Sequence, residues 1–213
     1  MSVYNVTNNL NPSNPLVPLN LDIVNYIIIH HPEAEHCTWQ DINEWHKQQG
    51  WNCAGYNEFI DKDGDVFILR GDNIGAQCLG MNSTSYGICC EGNYQIETEM
   101  PEVQKQALIE RIKFNSPRFP NYKLTAPHKQ FVETQCPGIN FPLAEILQRV
   151  EKVEVGKMEV DNSPIDPSYK NCVDVIVKAL ELNSPQYWLD MKDGNVKILI
   201  QKMANYISTQ TTV

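Results

Sequence analysis

The sequence predicts an α/β protein, a mixed central β-sheet flanked by helices, followed by a small C-terminal helical domain. Three observations predict it. The continuous apolar run over residues 24–30 reads as a strand covered on both faces. Two further apolar runs are joined by a turn containing Asp-Gly, a strong hairpin signal. Segments with helical spacing of apolar residues alternate with these strands, an order that suits a sheet with helices packed on it.

The elements follow in order. Residues 8–20 carry three prolines and five asparagines and read as an extended lead-in, so the first regular element is expected after them. The strand over 24–30 then closes with Tyr26-Ile27-Ile28-Ile29-His30. Thr38 followed by an acid at Asp41 is an N-cap pattern, and Ile42, Trp45, His46 and Gln49 fall at helical spacing before Gly50 stops the run. Tyr56 to Ile60 and Val66 to Arg70 are two strands joined by Asp61-Lys62-Asp63-Gly64-Asp65. Tyr86 to Cys90 is a further strand ending at Glu91-Gly92. Pro101 to Phe114 is a helix with Val103, Ala107, Leu108 and Ile112 on one side, and Leu124 leads a short strand into His128.

After Arg149 the chain becomes charged and poor in aromatics, so a first domain over 1–150 is expected to end in a linker at 151–165. Beyond it, 172–182, 185–191 and 196–207 have helical patterning, and a small helical bundle over 166–213 buries their apolar faces. Such a tail is expected either to tether the chain to its target or to pack onto the first domain or dimerise.

With Lys+Arg 17 against Asp+Glu 26, the net charge of −9 argues against binding along a phosphate backbone, and no nucleic acid partner is expected. No run approaches the roughly 20 apolar residues of a membrane helix, and Met1 to Asn9 lacks a basic and apolar leader. Cytosolic synthesis without membrane insertion is the expectation. Seven cysteines without repeated spacing read as reduced thiols, one of them available as a ligand.

The chemistry centres on His30, His128 and Cys136. A histidine at the end of a buried strand is by itself most often a hydrogen-bonded core residue. The stretch from His128 to Cys136 has too weak a period for helix or strand and reads as a loop able to fold both side chains onto one ion. Two imidazoles and a thiolate, with a fourth position left for water, are what a catalytic zinc site requires.

Several segments occur in the order of a known family: Asn43-Glu44-Trp45-His46-Lys47-Gln48-Gln49-Gly50-Trp51, Gly55-Tyr56-Asn57, Asp61-Lys62-Asp63-Gly64, Gly75-Ala76-Gln77, Asn82 with Tyr86-Gly87-Ile88, and Thr134-Gln135-Cys136-Pro137-Gly138. Over roughly residues 22–150 the chain resembles the type 2 zinc N-acetylmuramoyl-L-alanine amidases, which include amidase-type phage lysozymes and the peptidoglycan recognition proteins.

The resemblance implies zinc held by His30, His128 and Cys136, with His31 a neighbour facing the other way because adjacent strand residues alternate. It implies hydrolysis of the amide between N-acetylmuramic acid and L-alanine of bacterial peptidoglycan. Tyr56 is implied as a catalytic group, with Thr134 standing where some members have a lysine. Trp51, Arg70, Gln77 and Asn82 are implied along the substrate groove. Other branches use a glutamate where Cys89 stands; Glu91, two residues on, is either a substitute or a strand-end cap. Without a leader, such an enzyme is expected to reach the wall as an endolysin or autolysin once the membrane is breached. A recognition module that binds peptidoglycan without cutting it is the competing reading. A structural zinc site, with Cys37 or His31 as fourth ligand, is a third.

Overall fold

The computed structural model describes residues 1–151. These form one mixed six-stranded sheet with helices on both faces, as the sequence predicts. In chain order the elements are β1 (Val3–Asn5), β2 (Tyr26–His30), α1 (Trp39–Gln48), β3 (Glu58–Ile60), β4 (Val66–Ile68), β5 (Ser85–Cys90), α2 (Glu102–Asn115), β6 (Leu124–Pro127) and α3 (Leu143–Glu151). The strands lie in the order β1-β4-β3-β5-β2-β6, with only β3 and β4 antiparallel to each other. No helix among the described residues is long and apolar enough to cross a membrane. The expected linker, apart from Glu151 at the end of α3, and the three expected C-terminal helices lie outside the described residues.

Alternation along the inner strands decides which side chains meet the site. Ile27 and Ile29 of β2, with Tyr86, Ile88 and Cys90 of β5, face a core closed by Leu108 and Ile112 of α2 and Ile146 of α3. Burying each of these isoleucine and leucine side chains is worth about 1.5–3 kcal/mol relative to leaving it exposed. The opposite face carries His30 of β2 beside Cys89 of β5, its direct register partner. There Ile42 of α1, Phe59, Leu69 and Cys89 form the second core.

Helix α1 starts as its sequence predicts. Thr38 Oγ1 accepts the Asp41 N–H at 3.2 Å, and Asp41 accepts the Thr38 N–H at 2.8 Å, a reciprocal capping box. Thr38→Ala is expected to lower stability by about 1 kcal/mol, read as a drop in urea midpoint at constant slope.

Three expectations are corrected. Regular structure begins before the proline-rich lead-in: β1 pairs in parallel with the free edge of β4, and a 3-10 turn spans Thr7–Leu10. Nothing in three exposed residues announces such a strand, because its partner edge supplies the reason for it. The hairpin strands are shorter than expected, since Arg70 and Gly71 turn the chain back so that their N–H groups donate to Tyr56 and Asn57 carbonyls. In α2, Val103 is 56% exposed, whereas Gln104, Arg111 and Asn115 are buried. Polar partners inside the fold take those three side chains, which no apolar periodicity can foresee.

Candidate metal centre and active site

His30 ends β2, and His128 begins the 3-10 turn that follows β6, the strand beside β2. Both therefore sit at the C-terminal ends of parallel strands, where ligands of open α/β sheets bind. Cys136 arrives on the loop after His128. That loop is held by Lys129 N–H donating to the Cys136 carbonyl at 3.0 Å and by Cys136 N–H donating to Thr134 Oγ1 at 3.3 Å. Gly138 closes it at φ 106, with its Cα so near the Tyr94 backbone that a Cβ would lie 2.4 Å from the carbonyl carbon. Any side chain there would push the loop off.

The ligand atoms of His30, His128 and Cys136 lie within 4.8 Å of one another. Cys136 Sγ is 3.7 Å from His30 Nδ1, and the two imidazole centroids are 4.4 Å apart. Among the described residues no fourth His, Cys, Asp or Glu joins this group. His31, 3% exposed, points to the other face, where its Nδ1 accepts the Tyr94 N–H at 3.1 Å. Its own backbone N–H donates to Cys136 Sγ at 3.4 Å, an interaction that favours a thiolate.

Burial, then the neighbouring His128, holds His30 well below the usual imidazole range, and burial lowers His128 too. Burial pushes the Cys136 thiol up to about 12. Neutral imidazoles keep a ring nitrogen lone pair available to a cation, and the thiol would become a ligand by releasing its proton. The donor set fits a metal ion, with two borderline nitrogens and one soft sulfur.

Tyr56 precedes β3 with its ring 5.0 Å from that of His30. Burial and the adjacent Cys89 and Cys136 thiols raise its hydroxyl well above the ordinary tyrosine range, so it stays a hydrogen-bond donor. Its backbone is set by His46, whose Nδ1 accepts the Gly55 N–H at 2.9 Å. Gly55 itself passes so close to the Ala76 carbonyl oxygen that a Cβ would sit 2.2 Å away. Burial, then the charge of Arg70, lowers His46 to about 4, which keeps it the neutral acceptor this turn needs.

Trp51, Arg70, Gln77, Asn82 and His128 line one groove of about 600 Å3, so the implied substrate residues come together beside one of the three candidate ligands, His128. Their polar atoms are largely engaged already. Arg70 donates to the carbonyls of Ala54 at 2.6 Å, Ile74 at 2.9 Å and Cys53 at 3.4 Å. Asn82 Oδ1 accepts the N–H groups of Gln77 and Cys78, both at 2.9 Å. Gln77 is 6% exposed, with its amide directed at His30. Trp51 stays 38% exposed, its ring centroid 4.4 Å from that of His46, and is free to contact a ligand. Glu91 serves as a strand-end cap: its two oxygens accept the Cys37 N–H at 3.1 Å and the Lys62 N–H at 2.9 Å.

Sequence reasoning missed Glu58. Fully buried on β3, it accepts from Arg111 through both oxygens at 2.7 Å, from Tyr86 at 2.9 Å and from Asn115 at 2.9 Å. Only an acid in an otherwise apolar strand, Phe59-Ile60 following it, hints at a buried partner.

A family model described as N-acetylmuramoyl-L-alanine amidase matches residues 20–139. The chain is 31% identical over 128 residues to peptidoglycan-recognition protein SC1a of Drosophila melanogaster, covering 54% of this chain and 68% of that one. It is 39% identical over 74 residues to the endolysin of Klebsiella phage KP32, covering 32% and 49% respectively. Among solved structures, the N-acetylmuramoyl-L-alanine amidase LysC from Clostridium intestinale URNW superposes with a TM-score of 0.63 at 31% identity, covering 70% of this chain and 97% of that one. The sheet order, the strand-end placement of the convergent His, His and Cys donors and these matches lead to one conclusion: the chain belongs to the N-acetylmuramoyl-L-alanine amidase family.

Proposed function

We propose that the chain is a zinc-dependent hydrolase of bacterial peptidoglycan that cleaves the amide between N-acetylmuramic acid and the L-alanine of the stem peptide, acting as an endolysin or autolysin. The observation that carries the proposal is the convergence of His30, His128 and Cys136, without a fourth protein donor among the described residues, at a groove able to take a peptide. A structural zinc site would ask for that fourth ligand. Bound by these three residues, zinc would supply Lewis acidity and lower the pKa of a water in its open position.

The chain's own groups do the rest. The groove seats the stem peptide and brings its first amide to the ends of β2 and β6. Tyr56, a donor throughout the neutral range, directs its hydroxyl to the carbonyl oxygen as that oxygen gains charge. Thr134 braces the Cys136 loop and offers a hydroxyl where a lysine would bring a full charge.

The test is zinc content alongside release of new amino termini from purified cell wall. For wild type, one zinc per chain and steady release are expected. Tyr56→Phe is expected to keep its zinc and lose about 10²–10³ in kcat, the usual cost of one oxyanion donor. Thr134 and the recognition-protein relative favour one second reading, binding without cleavage. Zinc binding with no release by wild type, across walls of several peptide types, would select it.

A further inference from the structure

We infer that Gln77 is a positioning residue: it locks His30 in the Nε2–H tautomer and so presents the Nδ1 lone pair to the metal. The inference rests on the metal-dependent reading above, and it reassigns a residue whose family position suggests substrate contact.

The hydrogen bonds that join Met81, Ser85, Gln77 and His30 admit one consistent assignment. Ser85 Oγ lies 2.7 Å from the Met81 carbonyl oxygen, which can only accept, so the serine's single proton goes there. Ser85 Oγ is also 2.7 Å from the Gln77 amide and, its proton committed, can only accept from it. The atom facing Ser85 is therefore Nε2, and Gln77 Oε1 is left facing His30 Nε2 at 2.5 Å. An amide oxygen accepts, so His30 Nε2 carries the hydrogen. Nδ1 is then bare, and it is Nδ1 that faces Cys136 Sγ.

The surroundings are built around this amide. Asn82 Oδ1 accepts the N–H groups of Gln77 and Cys78, which fixes the backbone from which the side chain extends. Gly87, on the strand beside His30, leaves the space: a Cβ there would lie 2.7 Å from Gln77 Cγ and 2.8 Å from Cδ. With 6% exposure and both amide groups engaged inside the protein, Gln77 has little left to offer a ligand in the groove. Outer-shell partners of this kind fix ring orientation and raise ligand basicity, and removing one typically costs about 10–100-fold in metal affinity.

The experiment uses full-length wild type, Gln77→Met, Gln77→Glu and Ser85→Ala, with two readouts. The His30 tautomer is read from its ring nitrogen resonances in metal-free, ¹⁵N-histidine-labelled protein. Zinc affinity is read by competition with a chelator. Wild type is expected as Nε2–H alone. Gln77→Met, close in shape but without the acceptor, is expected to lose the single tautomer and bind zinc about 10–100-fold more weakly. Gln77→Glu, which keeps an oxygen at the same place, is expected to retain the tautomer and bind at least as tightly as wild type. Ser85→Ala frees the amide to turn over and is expected to show both tautomers. An Nδ1–H tautomer in wild type would overturn the inference, as would unchanged tautomer and affinity in Gln77→Met; a single tautomer in Ser85→Ala would remove the role given to the serine. If Gln77→Met does not fold, the wild-type tautomer and the Gln77→Glu result still decide. Neither readout involves peptidoglycan, so zinc-loaded wild type that cuts no wall would defeat the proposed activity and leave this inference standing.

Discussion

Cys136→Ser is expected to release the metal and bring wall hydrolysis to background, a loss on the order of 10³ or more, because activation of the attacking water goes with the ion. The alcohol is nearly the size of the thiol, so the loop held by Thr134, Lys129 and Gly138 should persist and the urea midpoint of metal-free protein should barely move. What changes is the donor. Serine hardly ionises, whereas a thiol can give up its proton on binding a borderline-soft ion such as zinc, and the Cys136 sulfur already receives the His31 N–H.

The same thiol sets a pH dependence. With burial holding it at about 12 in the metal-free site, and both imidazoles neutral near pH 7.5, each ion taken up by the three proposed ligands would expel the thiol's proton. Affinity should then fall about tenfold for each unit of pH lowered from there. Chelator competition at several pH values measures the slope. A flat profile would mean that Cys136 is not a ligand.

The largest effect on stability is expected at Arg111→Met. The guanidinium holds both oxygens of Glu58 under the sheet, where the carboxylate is fully buried. Removing the arginine leaves that carboxylate with only Tyr86 and Asn115 as donors, and breaking one side of a buried ion pair costs about 3–5 kcal/mol. Urea denaturation should show the drop at unchanged slope. Adding Glu58→Leu to Arg111→Met should recover part of the loss, since the unpaired charge is gone while Tyr86 and Asn115 still lack their acceptor. A double replacement no better than the single one would show that the cost lies in packing.

Much of the fold is written locally. The capping box of α1 needs only Thr38 and Asp41, and the β3–β4 turn needs Gly64, which adopts φ 79. The Tyr26–His30 run becomes an inner strand because an apolar segment of that length finds shelter only between neighbours, and alternation alone separates His30 from His31. By contrast β1 exists because β4 has a free edge to offer, and Val103 lies exposed because Gln104 turns inward to Tyr94.

The candidate site divides the same way. Residue types and their order along the chain single out His30, His128 and Cys136 as candidate ligands, because metal ligation limits which side chains can serve, whereas Tyr56 is singled out by the family resemblance alone. Roles that depend on partners distant in sequence were decided by the tertiary structure: Glu91 as a cap for two loops, Arg70 as a tie between carbonyls, Glu58 as the buried half of an ion pair, and Gln77 as the neighbour of His30. A ligand is defined by its own chemistry, which the sequence states. A hydrogen-bonding role is defined by what lies within about 3 Å, and 47 residues of chain separate His30 from the amide that faces it.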